Sequence, residues 1–234
     1  MRFTPWAIAS LAATGWIAGC ATVVDPPPTE PRVPLVEALL VAGTTEPTLR
    51  LRWAGQIGQV PEPVAPAEAI LTLTADPGSS APVSPVDPSA GLYRAAVPIV
   101  AGRAYRLAGT IGGRAISART TVPANLTVLA PTGPIASSVP AERFAFRWRS
   151  VGASAYSVDH AVFVSTRGRQ TRDTIGEFIL APDGAALPSE LTIYALNADA
   201  ERYLFFAASA QGNVTGGIGV LGAAITVRRP LQWP

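Results

Sequence analysis

Thr48-Leu49-Arg50-Leu51-Arg52-Trp53 alternates strictly between apolar and polar side chains. A chain that repeats such period-two stretches has little choice but to build sheets. Successive side chains of a strand point to opposite faces, so Leu49, Leu51 and Trp53 share one face while the arginines point to water. Ala69 to Thr74 repeats the pattern with Leu71 and Leu73 inward. Arg103 to Thr110 and Arg114 to Val122 flank Gly112-Gly113, and a diglycine between alternating strands adopts the positive φ angles of a tight hairpin turn. The hairpin is expected to bring Tyr105, Leu107 and Ile111 against Ile116, Ala118 and Val122. The proline-rich connections Val60 to Pro66 and Pro77 to Pro88 read as loops and guards of strand edges.

A second set of strands is expected after the breaker cluster Ala130-Pro131-Thr132-Gly133-Pro134. Phe144, Phe146 and Trp148 alternate with Ala145, Arg147 and Arg149. Further strands are predicted over Tyr156 to Val164, Phe178 to Leu180, Leu191 to Leu196, Tyr203 to Ala210 and Ala223 to Arg229. No stretch of similar length carries a helical stripe, so the expected class is all-β. Leu51-Arg52-Trp53-Ala54-Gly55 in the first half echoes Phe146-Arg147-Trp148 and its following Gly152 in the second; with so few positions this reads first as two strands that share a pattern, with duplication as the alternative. In either case, a central tryptophan suits the core of a sandwich, where its ring bridges two sheets.

The N-terminal stretch has the layout of an export signal. Arg2 supplies the positive start, Trp6 to Trp16 is mostly apolar, and small residues precede Cys20, the single cysteine of the chain. The apolar run is too short for a permanent membrane span. Ile17-Ala18-Gly19-Cys20 resembles the lipobox of bacterial lipoproteins. That resemblance implies cleavage between Gly19 and Cys20 and lipidation of Cys20, whose thiol forms the thioether. A plain secretory signal cut nearby, with Cys20 incidental, is the alternative. Two or three acyl chains on one residue anchor stably where one does not. Ala21 and Thr22 follow the cysteine, without the aspartate that resembles an inner-membrane retention signal, so the outer membrane is the expected location. Pro26, Pro27, Pro28, Pro31 and Pro34 then make a semi-rigid spacer.

Leu196-Asn197-Ala198-Asp199-Ala200-Glu201-Arg202-Tyr203 and the apolar run after it resemble the loop-tyrosine-strand passage of fibronectin type III domains, with Tyr203 where that family ties its inter-sheet corner. The proline-glycine pair usual at that corner is missing. The first half resembles an immunoglobulin-like sandwich. With the lipobox, the stretch Val100 to Leu107 and the glycine-rich Gly212 to Gly219, the whole chain is similar to uncharacterised outer-membrane lipoproteins of unknown function, often encoded near TonB-dependent receptors. The expected organisation is a signal peptide over 1–19, the lipid-anchored Cys20 and linker over 20–34, an immunoglobulin-like sandwich over 35–130, and a fibronectin III-like sandwich over 131–234.

Little in the chain looks catalytic. His160 is the only histidine, and its neighbour Asp159 points to the opposite face of a strand, so no hydrolytic triad assembles there. His160 shares parity with Tyr156, Val158 and Val162 and reads as half-buried and structural. With no second histidine and no free thiol, no zinc set exists. The glycines at 212, 216, 217, 219 and 222 lack the spacing and strand-to-helix context of a phosphate loop and read as a bulged hairpin connection. The pairs Asp173 with Glu177 and Asp199 with Glu201 read as solvated loop charges, with calcium ligation as the alternative. Asn125-Leu126-Thr127 and Asn213-Val214-Thr215 match a glycosylation acceptor pattern that carries no weight in a bacterial lipoprotein.

The whole chain has 18 basic and 16 acidic side chains, and removing Arg2 with the signal leaves the basic side chains one in excess, a near balance that carries no signature of nucleic-acid binding. Arg167, Arg169 and Arg172 cluster in an expected hairpin loop that reads first as a solvated charged turn, with Asp173 and Glu177 beside it to neutralise the patch; an anion-binding loop that forks onto phosphate or carboxylate groups is the alternative. The expected function is that of a lipid-anchored, non-enzymatic envelope protein, without cofactor, metal or nucleic-acid partner. It would be held to the membrane through Cys20 and act as an interaction or ligand-capture module with a protein partner in the envelope, accessory to an outer-membrane transporter. The alternative is a carbohydrate-binding or hydrolase-accessory lipoprotein, which needs exposed aromatics; Trp233 is the candidate, since Trp53 and Trp148 point inward.

Overall fold

The computed structural model describes residues 32–55, 60–130, 132–133, 135–136, 143–158, 161–167, 173–180, 189–206 and 212–232. The signal, Cys20 and the start of the linker lie outside these residues. The strands in chain order begin with β1 (Val33–Val41), β2 (Thr48–Ala54), β3 (Glu62–Pro63), β4 (Ala69–Asp76), β5 (Ser80–Asp87), β6 (Leu92–Ala95), β7 (Ala104–Ile111) and β8 (Arg114–Thr121). They continue with β9 (Asn125–Ala130), β10 (Ile135–Ala136), β11 (Arg143–Val151), β12 (Ala155–Val158), β13 (Ala161–Arg167), β14 (Asp173–Leu180) and β15 (Glu190–Leu196). The helix α1 (Ala198–Phe206) precedes β16 (Val214–Thr215) and β17 (Ile218–Gln232). The expectation of an all-β class holds, with α1 as an addition to it.

The alternation seen in β2 is realised: Leu49, Leu51 and Trp53 are buried. Each fully buried leucine contributes roughly 1.5–3 kcal/mol. Leu71 and Leu73 of β4 point inward as expected. The β7–β8 hairpin forms around Gly112 and Gly113, with φ of 56° and 77°, the pair of positive angles that a two-residue turn needs. Leu107 stands directly opposite Ala118, and Tyr105 opposite Thr120. Gly112 is required for a second reason, since a Cβ there would lie 2.6 Å from the Trp53 ring. Tyr93, Tyr105, Leu40, Leu107 and Ile111 complete a core with no exposed surface.

One continuous path of paired strands runs β12-β15-β17-β1-β2-β6-β5-β4-β7-β8-β16, and a four-stranded sheet runs β13-β14-β11-β9. The path folds over on itself at β5. Residues 80–82 of β5 pair with β4, whereas residues 83–87 pair with β6. A strand that changes partners in this way makes the corner between two layers. The expectation that Pro77 to Pro88 is a loop is corrected here: Pro82 and Pro85 lack a donor, but their φ suits an extended chain, and the ladder shifts register beside Pro85.

The last strand, β17, is the spine. Its first half, Ile218 to Ala224, pairs in parallel with β1, and its second half, Ala224 to Pro230, pairs antiparallel with β15. Strands from each side of position 130/131 thus meet: β16 pairs with β8, and β9 with β11. A second core of Leu126, Val128, Trp148, Val158, Leu191 and Ile193 lies beside β15 and β17, with the Trp148 and Tyr156 rings 4.9 Å apart.

Two further expectations are corrected. Tyr156 to Val164 is not one strand, because β12 pairs with β15 while β13 joins β14 in the other sheet. Tyr203 to Phe206 is not the start of a strand but the end of α1, which removes the reading of Tyr203 as a corner tie. The asparagine before the helix, with Asp199 and Glu201 in its first turn, starts it by satisfying orphan N–H groups and matching its dipole. A corner tie of that kind is made elsewhere: the Tyr105 hydroxyl donates to the Pro98 carbonyl at 2.8 Å and accepts from the Val100 N–H at 2.7 Å.

Candidate functional site

The helix α1 is fixed on the sheet by two asparagines. The Asn197 side chain, 7% exposed, accepts from the N–H groups of Ala200 and Ala223, each at 3.0 Å, and donates to the Thr120 hydroxyl at 2.6 Å and the Thr121 carbonyl at 3.2 Å. An amide has two donors and one two-lone-pair acceptor, so its capacity is full. Asn213 acts like a strand residue: it accepts from the Leu221 N–H at 2.8 Å and donates to the carbonyls of Leu221 and Arg119 at 2.9 and 2.8 Å. Asp199 stands in the same cluster. Partial burial raises its carboxyl above the usual 3.8, opposed by the Arg202 guanidinium and by hydrogen bonding with the side chains of Asn213 and Thr120.

So placed, α1 forms one wall of an open groove of about 310 Å³ whose lining includes Glu37, Leu39, Thr48, Arg50, Leu92, Ala200, Val220 and Gly222. The floor is the outward face of the sheet. Val220, Glu37, Arg50 and Leu92 stand in one cross-strand row over β17, β1, β2 and β6. In the next row Leu39 stands opposite Gly222, and a Cβ on Gly222 would come within 2.9 Å of the Ala200 Cβ. Glycine therefore lets the helix settle against the strand and sets the depth of the groove.

The charges around this groove are unevenly matched. Arg52 forms an ion pair with Glu37, and Arg94 with Glu46 at 2.7 Å. Both of these acids are thereby occupied, and Arg50, exposed between Glu37 and Leu92, has no acidic partner among the described residues. The groove thus presents an apolar floor and one unmatched guanidinium. The set holds no free general acid–base pair among the described residues, because the Glu37 carboxylate is already engaged by Arg52.

Of the residues singled out in the sequence, Gly19, Cys20, His160, Arg169, Arg172 and Trp233 lie outside the described residues. Arg167 is the last residue of β13, opposite Ile175 of β14. Asp173 and Glu177 belong to β14, and Asp199 and Glu201 to α1, so none of these four is a loop residue. Gly216 and Gly217 form the turn between β16 and β17. Trp53 is sealed: its ring is covered by the Arg32 guanidinium at 4.7 Å on one side and meets the Gly112 turn on another, while its N–H donates to Glu68 at 3.3 Å. Among the described residues no set of three or more His, Cys, Asp or Glu side chains could hold a metal, and no helix is long and apolar enough to cross a membrane.

Neither the protein-family models nor the curated proteins include a match to this sequence. Among solved structures, the chain is similar to the titin immunoglobulin tandem domains A164–A165, with 8% identity, a TM-score of 0.26, and coverage of 87% of this chain and 97% of that one. It is also similar to domains 4 and 5 of the S-layer protein SbsC, with 13% identity, a TM-score of 0.22, and coverage of 87% and 99%. At these values neither protein defines a fold family for the chain.

The groove was not foreseen. Alternation gives Arg50 as an arginine pointing to water, which matches its exposure but is silent about its partners. The signal that bears on it is the spacing of Glu37 and Glu46 against Arg50, Arg52 and Arg94, and it becomes legible only once the strand register is known.

Proposed function

We propose that this chain is a lipid-anchored protein of the bacterial outer membrane that works without catalysis, capturing a ligand in the groove beside α1. The anchor is Cys20, freed by cleavage after Gly19, and Pro26 to Pro31 make the spacer; Pro34, expected at its end, instead belongs to β1, opposite Trp53. The body is a pair of immunoglobulin/fibronectin III-like sandwiches joined through β17. The observation that carries the capture role is the concave floor of Leu39, Leu92 and Val220 beside an unmatched Arg50. Apolar concavity with a few placed polar groups is the usual make-up of a ligand site. A protein partner in the envelope, an outer-membrane transporter among them, fits the same tethered position, and the resemblance to lipoproteins encoded near TonB-dependent receptors supports it. The carbohydrate-binding alternative is not favoured: Trp53 and Trp148 are buried and unavailable for stacking on a sugar.

The anchor is tested by changing Cys20→Ser and following lipid incorporation and fractionation. Loss of both the label and membrane retention is expected. Retention of the serine variant in the membrane fraction would overturn the anchor.

A further inference from the structure

Resting on the capture role just proposed, we infer that the groove beside α1 takes a short aliphatic monocarboxylate, with the carboxylate on Arg50 and the hydrocarbon along Leu39, Leu92 and Val220. Charge argues for a single anion. On this face three arginines, Arg50, Arg52 and Arg94, stand with three acids; Glu37 and Glu46 are taken by the ion pairs of Arg52 and Arg94, and Asp87, beyond Leu92, accepts from Ser89 and Ala90, so none of the three is paired with Arg50. The Glu37 carboxylate beside it repels a doubly charged head such as a phosphate dianion but tolerates a monoanion forked onto the far side of Arg50.

Shape and surface argue for the tail. Beyond Arg50 the row runs over Leu92 to Asp87, and towards the helix it meets Leu39, Val220 and Ala200, with no aromatic side chain in the lining among the described residues. Such a surface desolvates methylenes, each worth about 0.8 kcal/mol. The volume of about 310 Å³ lies at the small end of ligand sites, so the tail is short. The helix wall is fixed rather than adaptable, because Asn197 ties the first turn of α1 to β17 and β8. A preformed wall lowers the ordering cost of binding.

The experiment titrates the full chain in nanodiscs, with empty discs subtracted, against four probes that share an octyl chain: octanoate, octanol, octyltrimethylammonium and octyl glucoside. Octanoate is expected to bind, octanol roughly tenfold more weakly, and the cation not at all. Arg50→Gln should bring octanoate down to the level of octanol without altering the fold, since Arg50 is exposed and holds no acid. Thr48→Trp, which fills the groove from an exposed strand position, should abolish binding of every probe. Equal binding of the cation or the glucoside, or an unchanged octanoate affinity in Arg50→Gln, overturns the carboxylate and leaves the capture role standing. If none of the four probes binds, the carboxylate and the capture role both fall.

Discussion

At the β7–β8 hairpin the chain is held by what it buries, whereas at the junction of α1 with β17 it is held by what it hydrogen-bonds. In the hairpin Tyr105, Leu107 and Ile111 lose all their exposure, and two glycines close the turn over Trp53. At the junction the small residues Ala200, Ala224 and Gly222 meet beside Leu196, with Leu39 and Tyr194 packed against them. Ala200 is the buried side chain of α1 among its described ones, and the Asn197 and Asn213 amides add the directed bonds there. Apolar burial is tolerant of direction, while an amide with every donor and acceptor used fixes one geometry. The junction is also where the groove is built, so the part of the molecule held most specifically is the part that shapes the candidate site.

Truncation breaks the two regions by different amounts. Leu107→Ala removes a fully buried side chain from the hairpin and should cost about 2–5 kcal/mol in urea unfolding, with groove binding intact in the folded fraction. Asn197→Ala should cost less, about 1–3 kcal/mol, because it leaves the Ala223 N–H and the Thr120 hydroxyl without this partner and removes the helix cap. Its effect on octanoate binding should exceed that of Leu107→Ala, since α1 is the groove wall. Equal effects on binding would mean that the amide does no more for the groove than general stability does. Tyr105→Phe, which deletes only the tie between Pro98 and Val100, should cost about 1 kcal/mol and leave binding unchanged.

The same contrast separates what was legible in the sequence from what was not. Local alternation located β2, β4, β7 and β8 and their inward faces, because parity along one strand is a property of consecutive residues. Gly112-Gly113 located its turn for the same local reason. The helix was locally marked by Asn197, Asp199 and Glu201, but Tyr203 to Ala210, rich in aromatic residues, matched a strand template better. The tertiary fit of Ala200 on Gly222, which favours the helix, is invisible to any window. The parallel pairing of β1 with β17 joins residues at opposite ends of the body, and Arg50 becomes distinctive only when that register and the ion pairs of Arg52 and Arg94 are known. Pro82 and Pro85 misled in the other direction, since a strand that turns the corner between layers accepts prolines that a central strand would refuse.

The smallest expected effect is electrostatic, and it sets Asp199 at the junction against Asp87, which caps the turn before Gly91. Burial raises the Asp199 carboxyl, so the folded chain holds this proton more tightly than the unfolded chain does. Its charged form is a slight burden at neutral pH, and stability from this group grows as pH falls through the raised folded value towards 3.8. Asp87 is the reverse. Hydrogen bonds from the Ser89 hydroxyl and from the N–H groups of Ala90 and Ser89 lower its carboxyl. Its contribution is present above 3.8 and is lost as pH falls through the lowered folded value. Urea unfolding of the wild type, Asp199→Asn and Asp87→Asn across pH 3 to 7 reads the two apart. The advantage of the wild type over Asp199→Asn should grow with acidification, and its advantage over Asp87→Asn should shrink. A parallel response in both variants would mean that the junction carboxyl is solvated like the surface one, and that α1 lies less closely on β17 than the asparagine contacts require.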